Sequence, residues 1–238
     1  MPKQPFNDVA GKVAVITGAA RGLGQGTAEA LAEHGVHVVV ADISPNIHEM
    51  FDAIKEAHPE NDGYSKEVDV SVETDVRDLI AGAVEKFGRL DIIHNNAIWF
   101  QHGSAVDLDE KDWDKTLSAG LKAIFIAAKY GIPAMMKTGG GAIVNTASMN
   151  AIRPLTRIPA SSASKAAVAN FTQWLAVHIA QEYTPKVRVN AVAPGFFVTD
   201  QNRYLLYDRE TGGLTPRGEQ VIGHTPMGRM GNPEDVAG

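Results

Sequence analysis

The stretch Val13–Leu31, VAVITGAARGLGQGTAEAL, decides the fold. It opens with a run that is β-branched or small and apolar at nearly every position. A strand of that kind is apolar on both faces and belongs in a parallel sheet covered by helices. Gly18, Gly22 and Gly24 follow, and then a helical period begins. The glycines permit a tight turn and close backbone approach. The opening turn of the helix presents free N–H groups and about half a positive charge to a pyrophosphate. An ordinary βα turn is the alternative for glycines alone, but strand, helix and second strand in this order favour dinucleotide binding.

Outward from this unit the same alternation runs through most of the chain. KVAVIT, VHVVVAD, YSKEVDV, LDIIHN, GAIVNTA and KVRVNAVAP read as strands, apolar on both faces except for the third. Helical periods lie between them: 24–35, 46–58, 73–88, 109–137 and 164–183. Such alternation predicts right-handed crossovers and a Rossmann-type, doubly wound parallel α/β sheet with helices on both faces. No repeat or linker divides residues 1–238, so one domain is expected. After Pro194 the texture changes to Gly, Pro, Thr and charge. Residues 195–232 read as a substrate-binding loop region beyond the carboxyl ends of the strands.

Composition narrows the chemistry. Of 238 residues, 44% are hydrophobic and 21% charged, which is ordinary for a globular domain that buries a core. The net charge of −6 argues against nucleic acid or an anionic membrane as partner. Without cysteine there is no disulfide, thiolate metal site or cysteine nucleophile. The N-terminus lacks an apolar signal core, and no run is long enough to span a bilayer, so a cytoplasmic location is expected. No metal site is expected. His94 interrupts an apolar strand, and it reads as a hydrogen-bonded core residue because no second ligand stands at metal spacing.

Asp42 ends the second strand about 20 residues beyond the glycines, the place from which a carboxylate takes ribose hydroxyls and repels a 2′-phosphate. This favours NAD. A loop aspartate or a cap of the next helix is the alternative reading, and Arg21 lies close enough in sequence to soften the preference.

With these residues in hand the chain, from Gly11 to its last residue, resembles the short-chain dehydrogenase/reductase family. TGAARGLG matches the family's TGxxxGxG. Asp69 and Val70 match the pair that holds adenine. NNA, with Asn96 and Ala97, matches the strand-end motif on the adenosine side. TAS ends on Ser148, the position of the catalytic serine. Pro194, Gly195 and Thr199 match the loop that holds the nicotinamide carboxamide. The resemblance implies NAD as cofactor, bound by Gly18, Arg21, Gly22, Leu23, Gly24, Asp42, Asp69, Val70, Asn96, Ala97, Lys165, Pro194, Gly195 and Thr199. It also implies a small-molecule substrate and a homodimer or homotetramer. A narrower likeness, in ASMNAIRPLTRIPA, NFTQWLAVHIA, APGFFVTDQNR and GHTPMGRMGNPEDVAG, points to the D-mannonate oxidoreductases, which interconvert D-fructuronate and D-mannonate.

The resemblance implies a catalytic group of serine, tyrosine and lysine. Ser148 and Lys165 are present, but Ser161 occupies the tyrosine position. A phenol titrates at about 10 and a nearby ammonium brings it toward working pH, whereas an aliphatic hydroxyl is a far weaker acid with a shorter reach. Losing general acid–base catalysis costs about 10²–10⁴-fold in rate. The expectation is an NAD-dependent sugar-acid oxidoreductase, weakened or inactive. Two alternatives stay open: a non-catalytic NAD-binding or scaffolding protein, and an enzyme using Tyr204 or His102 as proton donor. Two further departures are Gly120, where the family carries an asparagine, and a chain end that precedes the family's last strand.

For an anionic sugar the carboxylate partners expected are Arg153, Arg157 and Arg203, since guanidinium binds carboxylate through two parallel hydrogen bonds. Gln201 and Asn202 are placed to read hydroxyls or to cap a short helix. Trp99, Phe100, Gln101 and His102 either wall the substrate cleft or pack as a lid.

Overall fold

A computed structural model of the chain describes residues 8–199 and 202–237. Its centre is β1 (Val13–Thr17), paired in parallel with β2 (His37–Asp42) on one side and β4 (Ile92–Asn95) on the other. β3 (Tyr64–Glu67) lies outside β2, while β5 (Gly141–Thr146) and β6 (Val187–Val192) continue beyond β4. The order 3-2-1-4-5-6 reverses direction between β1 and β4. The loops after these two strands therefore diverge and open a crevice at the carboxyl edge.

Alternation along each strand sorts side chains to two cores. Ala14, Ile16, Val38 and Val40 face α1 (Gly22–Glu33) and α2 (Ile47–Ala57), where Ala28, Ile47 and Ile54 complete one cluster. Val13, Val15, Val39 and Ile93 face the other side. There α3 (Glu73–Phe87), α5 (Ala123–Lys137) and α6 (Pro159–Glu182) bring Leu79, Ile126 and Ile179. Full burial of each Val, Leu or Ile among them contributes about 1.5–3 kcal/mol.

Three elements differ from the sequence-based expectation. β6 is apolar on one face only: Val187 and Val189 are buried, whereas Arg188 and Asn190 are exposed. It sits at the sheet edge, paired with β5 alone among the described residues, and its second face lacks cover. α6 begins at Pro159 rather than Ser164, because proline at a first helical position already has the required φ and needs no N–H partner. Ser161 therefore lies within the first turn.

The expected helix over 109–137 runs through from Glu110 to Lys137, but not as uniform α-helix. α4 (Glu110–Leu117) passes into a wide π turn, Ser118–Lys122, before α5. Gly120 sits in that turn, where a Cβ would stand 2.5 Å from Ser164 Oγ of α6. Absence of a side chain at Gly120 lets the π turn and α6 meet.

Beyond β6 the chain forms α7 (Arg203–Leu206), α8 (Pro216–Gly223) and α9 (Glu234–Ala237) around a small separate core of Leu206, Val221 and Met230. No helix among the described residues is long and apolar enough to cross a membrane.

Candidate active site

The turn between β1 and α1 is shaped by contacts that exclude side chains. Gly18 has a φ of 66°, and a Cβ there would lie 2.7 Å from the Cα of Ala97. A Cβ on Gly24 would stand 2.6 Å from Asn96 Nδ2. Leu23 falls in the opening turn of α1, and Arg21 precedes it as an exposed, extended residue. The result is a bare-backbone cradle ending on a helix N-terminus, and its fit to a pyrophosphate rests on that geometry.

The cradle is fastened from both sides. Asp42, at the end of β2, accepts from the N–H of Ala20 at 3.1 Å and of Ser44 at 3.0 Å, so its carboxylate is drawn against the glycine turn. On the other side Asn96 Nδ2 donates to the Gly18 carbonyl at 3.0 Å. The hydroxyl of Thr17 accepts from Asn96 N–H at 3.2 Å and Ala97 N–H at 3.3 Å. Further along the edge, Asp69 accepts from the N–H and hydroxyl of Ser71, and Val70 is buried in the core.

Beneath the crevice a directional chain of donors links β4, β5 and this turn. The hydroxyl of Thr146 donates to Asn96 Oδ1 at 3.3 Å, which commits its one proton. His94 Nε2, 3.0 Å from Thr146 Oγ1, is then the donor, and Nδ1 is left with a bare lone pair. Nδ1 is buried without a partner. Burial, aided by the positive charge of Lys165, lowers the imidazole pKa to about 4, so His94 is neutral. It is a hydrogen-bonded core histidine, as its sequence setting indicates. Among the described residues no cluster of His, Asp or Glu suits a metal ion.

Lys165 projects from α6 one turn after Ser161 and donates to the main-chain oxygen of Thr146. Burial lowers its pKa to about 8. Ser161 is only 5% exposed, so the position that the resemblance gives to a phenol is inside the protein. Ser148 stands two residues beyond β5, where its hydroxyl accepts from Asn150 N–H at 3.2 Å. The strand end and the first turns of α6 thus gather Ser148, Ser161 and Lys165 at one edge of the sheet.

The last loop returns to this edge. Pro194 accepts from Met149 N–H at 3.0 Å, which fixes Pro194 and Gly195 against the segment after β5. The methyl of Thr199 lies 3.4 Å from where a Cβ on Gly22 would be, so the loop reaches the glycine turn. Asn202 braces it, accepting from Thr199 N–H at 2.9 Å and donating to Phe197 at 2.7 Å.

The substrate candidates separate. Gln201 lies outside the described residues. Arg203 has its guanidinium over the ring of Tyr207, 5.4 Å from the centroid. Arg153 and Arg157 are exposed on the loop leading into α6. Trp99 packs against the core under Lys115, whose ammonium is 4.3 Å from its ring centroid, and Phe100 packs edge-on against His102. These contacts suit lid packing. Tyr204 is 46% exposed. Thr17 and Thr146 each open a quoted motif, TGAARGLG and TAS, without a role of their own there; a hydroxyl ending an otherwise apolar strand is the signal that marks them.

Residues 12–210 match the short chain dehydrogenase family. The chain is 34% identical to 2-dehydro-3-deoxy-D-gluconate 5-dehydrogenase of Dickeya dadantii, over 96% of this chain and 86% of that protein. A Beutenbergia cavernae protein provisionally named an NAD(P) dependent gluconate 5-dehydrogenase, solved with bound NADP at low occupancy, superposes with a TM-score of 0.84. It is 29% identical, over 98% of this chain and 89% of that one. The 3-ketoacyl-(acyl-carrier-protein) reductase of Brucella melitensis, in complex with NADH, superposes with a TM-score of 0.82 at 28% identity, over 96% and 88%. On the family match and these likenesses, the chain belongs to the short chain dehydrogenase family.

Proposed function

We propose that this protein is an NAD-dependent sugar-acid oxidoreductase of the D-fructuronate/D-mannonate class whose proton transfer is crippled by Ser161. The observation that carries the reading is the Ser161–Lys165 turn, set beside Ser148 at the edge that the glycine cradle also faces. When bound there, the nicotinamide accepts or supplies hydride. The chain's own part is to bind, orient and move a proton. Gly18, Arg21, Gly22, Leu23 and Gly24 receive the pyrophosphate. Asp42 takes the ribose hydroxyls and disfavours a 2′-phosphate. Asp69 and Val70 flank adenine, while Asn96 and Ala97 support that side. Pro194, Gly195 and Thr199 hold the carboxamide end.

Lys165 keeps its role toward the ribose, and Ser148 hydrogen-bonds the substrate oxygen. A hydroxyl of Ser161's acidity and length cannot serve as the acid–base group at working pH. The substrate reading is supported by the sugar-acid names of the relatives and by the exposed arginines before α6. Tyrosine in place of Ser161 is expected to raise NADH consumption with D-fructuronate by about 10²–10⁴-fold. NADH binding without any such rise, across uronates, aldonates and keto acids, would favour a non-catalytic NAD-binding protein instead.

A homodimer or homotetramer is part of the same proposal. A groove of about 800 Å³ runs between α4, α5 and α6, lined by Leu117, Leu121, Phe125, Phe171 and Trp174 but not by Ser161. Phe125 is 53% and Trp174 55% exposed. An apolar patch of this kind on a soluble fold suits a protein partner, here a second copy.

A further inference from the structure

Arg157 is the one residue other than glycine with a positive φ, 65°, among the described residues. A side chain in that region clashes with its own backbone, a cost that glycine avoids. The conformation is held by a hydrogen bond between loops. The main-chain oxygen of Arg157 accepts from Gly103 N–H at 3.0 Å. The loop after β4 is thereby tied to the entry of α6, four residues before Ser161. Glycine would make the same tie without strain, so the tie does not explain the arginine.

The charge along this part of the chain gives the side chain a use. The protein is acidic overall, yet no Asp or Glu occurs from Lys115 to Gln181. Four of the other cations in that span are engaged: Lys129 with Glu73, Lys115 over Trp99, Lys122 with the Ser71 carbonyl, and Lys165 with Thr146. The guanidinium of Arg157 is exposed and has no ion pair among the described residues. Arg153 has neither the strained backbone nor the tie, and Arg203 is stacked on Tyr207.

Resting on the oxidoreductase reading above, we infer that Arg157 is the specificity-determining residue for an anionic substrate. Its backbone locks the two loops that border the cleft, and its guanidinium takes the substrate carboxylate through paired hydrogen bonds. The strained position is retained because glycine would keep the lock and lose the anion.

The test uses the full chain with Ser161→Tyr, saturated with NAD, oxidising D-mannonate and the neutral polyol D-mannitol. Adding Arg157→Gly is expected to lower the ratio of kcat/KM for mannonate over mannitol by about 10- to 100-fold. The melting temperature should stay level or rise as strain is relieved. Arg157→Lys should recover part of the ratio. An unchanged ratio in the Arg157→Gly variant overturns the inference. Should Ser161→Tyr turn over neither substrate, the oxidoreductase reading fails, and calorimetry of mannonate binding to the NADH-loaded parent chain decides the inference alone. Binding lost with Arg157→Gly sustains it; binding that is absent in the parent or indifferent to the substitution sinks it.

Discussion

The ammonium of Lys165 is held by the main-chain oxygen of Thr146 and sits in a buried setting that lowers its pKa to about 8. Nearby His94 is held neutral, its pKa lowered to about 4 chiefly by burial. Two basic groups are therefore packed below the crevice with their charge disfavoured, and both leave a signature in stability.

For Lys165 the unfolded chain binds the proton more tightly between pH 8 and 10.5. The burial penalty is thus fully present below about pH 8 and fades as pH rises toward 10.5. For His94 the folded form resists protonation, so stability is lost as pH falls from 6.5 through 4. Each arm amounts to about 3 kcal/mol. Urea unfolding should show the parent gaining about that much on Lys165→Met between pH 8 and 10.5. His94→Val should remove most of the acid loss. Flat differences across both windows would contradict the burial of these charges.

Asp42 should decide which nicotinamide cofactor binds. Its carboxylate is fixed by Ala20 and Ser44 at the edge of the glycine turn, where a 2′-phosphate would meet like charge. Asp42→Ala is expected to shift the NADH-to-NADPH affinity ratio toward NADPH by about 10-fold or more. Fluorescence titration with both cofactors measures it, and an unmoved ratio would reassign Asp42 to bracing the turn.

Gly120 and Ser164 should behave as a coupled pair. Ser164 Oγ is buried without a hydrogen-bond partner, and a Cβ on Gly120 would stand 2.5 Å from it. Gly120→Ala alone is expected to destabilise by about 1–3 kcal/mol through overpacking, despite alanine's better helix propensity. Ser164→Ala alone should be near neutral, since the hydroxyl it deletes is unpaired. A double-mutant cycle by denaturant melts would return no coupling if the helices were free to separate at this point.

Trp174 should hold the assembly together. It is stacked between Phe171 and His178, stays 55% exposed, and lines the groove. Trp174→Arg is expected to move the mass measured by light scattering from dimer or tetramer to monomer. A parent chain that already runs as a monomer would rule out this interface.

Much of the fold was legible because its signals are local. Five of the six strands are runs of β-branched and apolar residues, and all six fall where the sequence pattern puts them; β3, YSKE, carries the weakest signal. The glycine turn was equally plain, since tight turns demand residues that lack a Cβ. Less legible were the edges and joins. β6 reads as apolar on both faces, but its exposed side follows from its place in the sheet. The π turn at Ser118–Lys122 lies where α6 approaches Gly120, a contact between residues far apart in sequence. The apolar period of α6 starts at Ser164 because the serines before it carry none, while proline's preset φ starts the helix at Pro159.

By itself, the sequence determined the parallel α/β order, the glycine turn, and the presence of serine where the family's tyrosine would stand. These depend on residue type and spacing along the chain. Only the tertiary structure decided that Thr146 and Thr17 bind the crevice together through Asn96 and that Arg157 is strained across two loops. Such relationships are set by which strand ends and loops meet at the carboxyl edge. The hydrogen bonds that fix them join residues dozens of positions apart, beyond the reach of any periodic pattern.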